Sequence, residues 1–260
     1  IYEAFSDQYE YEFPDSYKNS LTFILSISQK FDSILGYFAS KSHLSGAGDP
    51  FGIRRSTLSI IKMCIEKKIR LNFYNLFLFN KELYENQNIL LKIDYSYLFE
   101  FFKKRISILL AEMGFRQDLI KASINKEFDP SFIFERVNQM DKFYKSEDGN
   151  NFLKAFKRLN SLAENIGVKK LDINLFHQDE EKELFELLNY LKLKIQKKNY
   201  NFIFENLEYL KKLSKTLDNF FDNVVVNDRN SQIRINRKVL INEFHKVLNK
   251  EYRFSYLEKK

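Results

Sequence analysis

Helix breakers are scarce in this 260-residue sequence, which holds only 7 Gly and 3 Pro. So few turn formers cannot serve the many tight connections of a β-sandwich or barrel, and long helices are expected instead. Cysteine is nearly absent. The one thiol, Cys64, sits in the apolar run SIIKMCIEKKI, which excludes an internal disulfide or a Cys-based zinc site and points to a buried core thiol. The three histidines, His43, His177 and His245, are scattered without ligand spacing, so no metal is expected. No run of about 18 apolar residues occurs, and no membrane-spanning segment is expected. No signal peptide is visible, which makes the cytoplasm the default location, and a start at Ile1 rather than Met is what a piece of a longer chain would show.

What the sequence does contain is apolar surface and positive charge. Hydrophobic residues make up 44%, enough for a real core and too many for a wholly disordered chain. The formal charge of +7 and a pI near 9.1 suit nucleic acid or an acidic membrane surface. Lys, Asn, Ile, Phe and Tyr are abundant together, a mixture that A/T-rich codons produce without selection for charge. The placement of the charge is therefore more telling than its total.

The apolar pattern predicts helices along the whole chain. The first should run from about Ser16 to Ser40 and end in the loop SHLSGAGDP. Asp49 as N-cap and Pro50 at the first helical position should start a second, with Phe51, Leu58, Ile61, Ile65 and Ile69 on one face and Ile53, Ile60 and Cys64 on another. A short helix in LNFYNLFLFN, a long one in DYSYLFEFFKKRISILLAEMG ending at Gly114, and a shorter one around Asp118 to Lys126 follow. Asp129-Pro130 repeats the cap-plus-proline start for a helix through Lys145. EDGN then reads as a break before a helix over Asn151 to Ile166. Further helices should cover about Gln178 to Lys198, Tyr200 to Val226 and Ser231 to Asn249, with the β-like run NVVVN read as the end of the middle one. The expected class is all-α, a helical bundle assembly, with a soft boundary near Gly114 separating 1–114 from 115–260.

Catalytic motifs are not evident. SGAGDP lacks the Walker spacing and a preceding strand. No histidine has an evident catalytic partner. The carboxylates of QDEEKELFE read as the acidic first turn of a helix. Basic clusters remain. Leu191 to Lys215 holds seven Lys against two Glu, and Ser231 to Lys260 holds eight Lys/Arg against three Glu. On the last helix Ile233, Leu240, Phe244 and Val247 form an apolar stripe, with Arg234, Lys238 and His245 on a flank open to a phosphate backbone. Arg237 falls inside the stripe and is expected to be buried against a carboxylate, Asp222 first and Asp218 second. On the 151–166 helix Phe152, Phe156, Leu159 and Ala163 should face in, and Lys154, Lys157, Arg158 and Ser161 out. Arg54 and Arg55 belong with Asp49-Pro50 to an architectural corner in which Arg54 should be at least half buried.

Three runs together resemble the beta subunit of the tetrameric bacterial glycyl-tRNA synthetase. They are FDSILGYF (31–38) with GAGDPFGIRRSTLSII (46–61), FKRLNSL (156–162), and DNFFDNVVV (218–226) with IRINR (233–237). Their order and spacing hold across essentially the whole chain. This sequence departs from the family pattern at Leu44, Gly48 and Ser161, and in the NDRN that follows the valines. The resemblance implies an end of an HD-like helical region over 1–114, without the HD motif, and a C-terminal helical domain similar to the anticodon-binding domains of arginyl-type synthetases over 115–260. It implies a part that binds tRNA for glycine beside an alpha subunit in an alpha2/beta2 assembly. The alpha subunit would use ATP to make glycyl-adenylate, so this chain would need no cofactor and carry no catalytic residue. Arg234, Lys238, Lys154, Lys157 and Arg158 become candidate tRNA contacts, and Asn227, Asn230 and Asn236 candidate base contacts. The rival reading is a helical scaffold that braces the subunits and touches no RNA.

Overall fold

The computed structural model describes residues 20–40, 48–49, 51–124, 128–163, 169–196 and 207–257. Among them are ten α-helices and no strand: α1 (Ser20–Ala39), α2 (Ile53–Glu66), α3 (Phe73–Glu85), α4 (Tyr95–Glu112), α5 (Gln117–Ser123), α6 (Pro130–Lys145), α7 (Glu147–Leu162), α8 (Asp179–Gln196), α9 (Leu207–Asn223) and α10 (Ser231–Tyr252). No helix among the described residues is long and apolar enough to cross a membrane. Pro50, Leu44, and the parts of expected helices at 16–19, 164–166 and 200–206 lie outside the described residues.

The chain divides into two compact units, residues 1–120 with 124–135, and 121–123 with 136–260. In the first, α1 packs on α2 and α2 on α4. Its core is aromatic. Phe31 of α1, Phe73 and Phe77 of α3 and Phe102 of α4 are all buried, with the Phe31 centroid 5.2 Å from Phe73 and 5.1 Å from Phe77. The Phe73–Phe102 and Phe77–Phe102 pairs meet edge to face at 5.3 and 5.4 Å, the arrangement ring quadrupoles favour. Gly114 closes α4 with φ 90, its N–H on Ala111 and the Phe115 N–H on Leu110, a left-handed cap that a Cβ would strain. The soft boundary read at Gly114 lies inside this unit. The chain beyond it still contributes Phe128 to the aromatic core, 5.6 Å from Phe73, and Phe134 against Phe115.

Cys64 is fully buried, and desolvation together with the negative charge of Asp129 pushes its thiol up to about 12. The neutral form therefore persists throughout the neutral range. Iodoacetamide at about pH 8 should leave the folded chain unmodified and alkylate it only in denaturant; rapid labelling of the native chain would contradict this placement.

Two helix starts and one helix end differ from the sequence reading. α2 begins at Ile53 rather than at Pro50, because Gly52 takes φ 64 and the chain turns once more before the helix. Asp49 still serves as a cap from further back: its carboxylate accepts the Arg54 N–H at 3.1 Å and the Arg55 N–H at 3.2 Å. Arg54 is half-buried, while Arg55 is exposed and Phe51, expected on the apolar face, is 71% exposed. EDGN is not a break. Ser146 caps α7 by accepting the Gly149 N–H at 3.0 Å, and Glu147 and Asp148 form its acidic first turn. Gly149 is needed for close approach, since a Cβ there would lie 1.9 Å from the Phe143 carbonyl oxygen. The third difference is the valine run. α9 stops at Asn223, and Val224 to Val226 form an irregular link with Val224 and Val226 buried and Val225 exposed.

In the second unit α9 packs against α7 and α8, and α10 against both α7 and α8. The expected apolar stripe of α10 is broader than its sequence suggests. Asn236, Arg237, Val239, Leu240, Ile241, Asn242, Phe244 and Leu248 are all buried, so the helix is surrounded. A terminal 3-10 turn, Phe254–Tyr256, returns to the bundle and sets Phe254 4.9 Å from Phe152 and 5.4 Å from Phe156.

Candidate functional site

Arg237 organises the end of the second unit where α8, α9 and α10 meet. It is 4% exposed and engages all five of its N–H donors. Nε and Nη2 fork onto Glu181 at 3.0 and 3.2 Å. Nη2 also reaches the Gln178 side chain at 3.0 Å, and Nη1 donates to the Val225 carbonyl at 2.8 Å and the Asp228 carboxylate at 3.1 Å. Glu181 is completely buried, and its second oxygen also accepts the N–H groups of His177 and Gln178 at 3.0 Å, capping α8. The Val225 carbonyl is available because the valines have left the helix.

Burial of Arg237 against a carboxylate follows the sequence reading; the partner does not. Asp222 and Asp218 pair instead with Arg158, at 2.9 and 3.8 Å, and the guanidinium also lies over the Phe221 ring at 5.1 Å. Asp222 and Asp218 point from α9 toward α7, away from the α8 terminus. The clue to Glu181 is its spacing from Gln178, an i, i+3 capping-box arrangement at the start of an acidic helix. That local rule explains the caps and not the arginine.

The remaining candidates separate into engaged and open groups. Arg234 is half-buried and donates to the Asp228 carbonyl at 2.8 Å. Lys238 is half-buried as well. His245 is not a free cation. It stacks on Phe156, its Nε2 lies 2.8 Å from Asn160 and 2.6 Å from Asn249, and burial lowers its pKa from 6.5, so it is neutral at pH 7. Asn236 is buried and clamps the Asp172 backbone through both its oxygen and its nitrogen, and Asn230 caps α10. The Asn236 amide is thereby fully used within the fold, while Asn230 is exposed with its oxygen engaged in the cap. Asn227 is exposed, as are Lys154 and Lys157 on the outer face of α7 and Ser161 beyond them. Lys154 and Lys157 have no hydrogen bond or ion pair among the described residues, which leaves both ammonium groups available to an anion. Phe152, Phe156 and Leu159 face in as the pattern requires.

A groove of about 780 Å³ opens between α8 and α9, with Glu183, Glu186 and Tyr190 on one wall and Lys212, Lys215 and Asn219 on the other. Among the described residues no three His, Cys, Asp or Glu side chains gather as a metal would require.

Comparison with known proteins gives this geometry its context. Residues 1–125 match the family described as glycyl-tRNA synthetase beta subunit, and residues 152–254 match the DALR anticodon binding domain. The chain is 31% identical over 240 residues to the glycine–tRNA ligase beta subunit of Rickettsia bellii, covering 90% of this chain and 34% of that protein. The beta subunit from Buchnera aphidicola is 31% identical over 243 residues, again 90% of this chain and 34% of its own length. The one from Rickettsia peacockii is 29% identical over 273 residues, 99% of this chain and 38% of its own. The chain thus spans about a third of the length of the curated relatives it matches.

Proposed function

From the premise that this chain belongs to the glycyl-tRNA synthetase beta-subunit family, we propose that it is the tRNA-binding C-terminal portion of that subunit. In this reading it holds tRNA for glycine while an alpha subunit uses ATP to attach the amino acid. The match of residues 152–254 to an anticodon binding domain supports it. The assembly would be alpha2/beta2 and cytoplasmic, with no cofactor bound by this chain.

The mechanism we propose is phosphate neutralisation joined to contacts with unstacked bases. Lys154 and Lys157 on α7 carry the first part best, because they are exposed and make no hydrogen bond or ion pair among the described residues. Arg158 is weaker in this role, its charge being faced by two carboxylates of α9. Arg234, held to the Asp228 carbonyl, and the half-buried Lys238 contribute from less open positions.

Filter binding of glycine-specific tRNA at two salt concentrations tests the reading. Affinity should fall steeply with salt. In the Lys154→Ala/Lys157→Ala double variant the log–log salt slope should shrink by about 1.4–1.8, with stability changed by less than about 0.5 kcal/mol. A salt-independent or absent interaction would favour the scaffold instead. One observation speaks for that rival: Arg158, Lys192, Lys211 and Arg237 are all turned to carboxylates within their own unit.

A further inference from the structure

The end of α10 holds a titratable side chain that the reading above leaves unused. Arg253 takes φ 52, a left-handed conformation uncommon for a residue with a Cβ. The chain turns back there, and Phe254 inserts 4.9 Å from Phe152 and 5.4 Å from Phe156. Contacts of the turn must hold that conformation. One comes from Asn249, whose side-chain oxygen accepts the Ser255 N–H at 3.0 Å. The Nδ2 atom of the same amide lies 2.6 Å from His245 Nε2. Nε2 also lies 2.8 Å from Asn160 of α7.

In the ring plane Nε2 carries either a lone pair or a proton, and the two states make different demands on Asn249. A lone pair accepts the Asn249 N–H and leaves the Asn249 oxygen on Ser255. A proton sets N–H against N–H across the 2.6 Å contact. Asn249 relieves this only by turning its amide over, and its N–H then faces the Ser255 N–H in place of the oxygen. Asn160 is exposed and can present either end of its own amide, so it tolerates both states. The neutral ring therefore closes the turn, and the charged ring opens it. Burial acts in the same direction, because it lowers the pKa of His245 from 6.5. The closed form binds the proton more weakly than the open form, so a fall in pH below about 6.5 draws the turn open. The charged groups around the ring leave this control in place. Lys157 is on the exposed face of α7, and Lys192 of α8 and Lys246 of α10 both pair with Glu243. Arg253 and Tyr256 belong to the turn itself, and Asp172 meets α10 at Asn236, near its start.

We infer that His245 and Asn249 form an acid-released latch on the C-terminal turn: neutral His245 holds residues 254–256 in the bundle, and its protonation releases them. Phe254 and Ser255 wall a pocket of about 140 Å³ together with Phe156, Lys157 and Asn160. Release thus opens the apolar surface beside Lys157, one of the residues proposed above to meet tRNA. The latch itself does not depend on that proposal.

The test is hydrogen–deuterium exchange of the full chain at about pH 7.5 and about pH 5, read at the amides of residues 255–257. Each rate is divided by that of a short unstructured peptide of the same sequence at the same pH, which removes the intrinsic pH dependence. Protection should fall about two- to tenfold at the lower pH, the worth of one net hydrogen bond. Amides within α7 should keep theirs. His245→Gln retains an acceptor for Asn249 and cannot become charged, so its protection should not change with pH. Asn249→Asp offers a carboxylate that accepts from charged His245 and from Ser255 together, so its protection should hold or rise at the lower pH. Circular dichroism at both pH values establishes that each variant is folded. Equal protection of the parent chain at the two pH values overturns the inference. So does a fall that α7 shares in full, or one that survives His245→Gln or Asn249→Asp. No tRNA enters these measurements, so their failure leaves the tRNA-binding reading standing.

Discussion

Arg237→Ala should destabilise the second unit by about 3–5 kcal/mol, the range for removing one partner of a buried ion pair. The variant leaves Glu181, which has no exposed surface, without its fork of two N–H donors, and it leaves the Val225 carbonyl and Asp228 without theirs. Desolvation of the orphaned carboxylate is the dominant cost. That attribution has its own check. In the Arg237→Ala background, Glu181→Gln removes the uncompensated charge and should restore part of the loss, whereas in the parent chain it should destabilise. The readout is the denaturation midpoint of the four chains of the double-mutant cycle. Additive effects would show that the two side chains are not coupled. Arg237→Lys should behave much like the alanine variant, since a point ammonium cannot span Glu181, Gln178, Val225 and Asp228 together. Under the proposed tRNA-binding reading, any loss of tRNA binding in these variants should follow the unfolded fraction and no more.

Gly149→Ala should cost about 3 kcal/mol, the upper part of the range for overpacking. The new methyl would be placed 1.9 Å from the Phe143 carbonyl oxygen, a backbone atom that cannot swing aside. The same carbonyl holds the corner between α6 and α7, accepting the Ser146 N–H at 3.0 Å and its hydroxyl at 2.7 Å. Relief requires the corner to open, and Phe143 would then leave Phe152 and Phe254. Ser146→Ala, which removes the cap without adding bulk, should cost only about 1 kcal/mol. A Gly149→Ala chain as stable as the parent in thermal melts would mean that the corner is looser than its geometry implies.

How much of this was legible beforehand depends on the range of the interaction. Helix existence is local. It follows from apolar periodicity, from the cap at Asp129, and from Gly114 at the end of α4, and these elements stand where the sequence puts them. The start of α7 escapes a local reading because Gly149 has two uses. As a turn former it signals a break, while as the smallest residue it permits contact with Phe143. Only the neighbouring helix distinguishes the two. NVVVN reads as helix by continuity, but β-branched residues give helix little support, and the freed Val225 carbonyl finds its donor in Arg237.

The sequence by itself determined an all-helical chain, a buried Cys64, an Arg237 that must find a carboxylate inside the fold, and a Lys154/Lys157 face turned outward. Each depends on which face of one helix is apolar, and periodicity reports that directly. Tertiary structure alone decided that Arg237 meets Glu181, 56 positions away in the chain, and that Arg158 meets Asp222, 64 positions away. It alone decided that His245 is neutral beneath Phe156 and that Glu183 and Lys212 face each other across an open groove. Such pairings depend on the rotation and register of one helix against another. Close packing of large side chains in the shared core sets both, and no single helix carries that information.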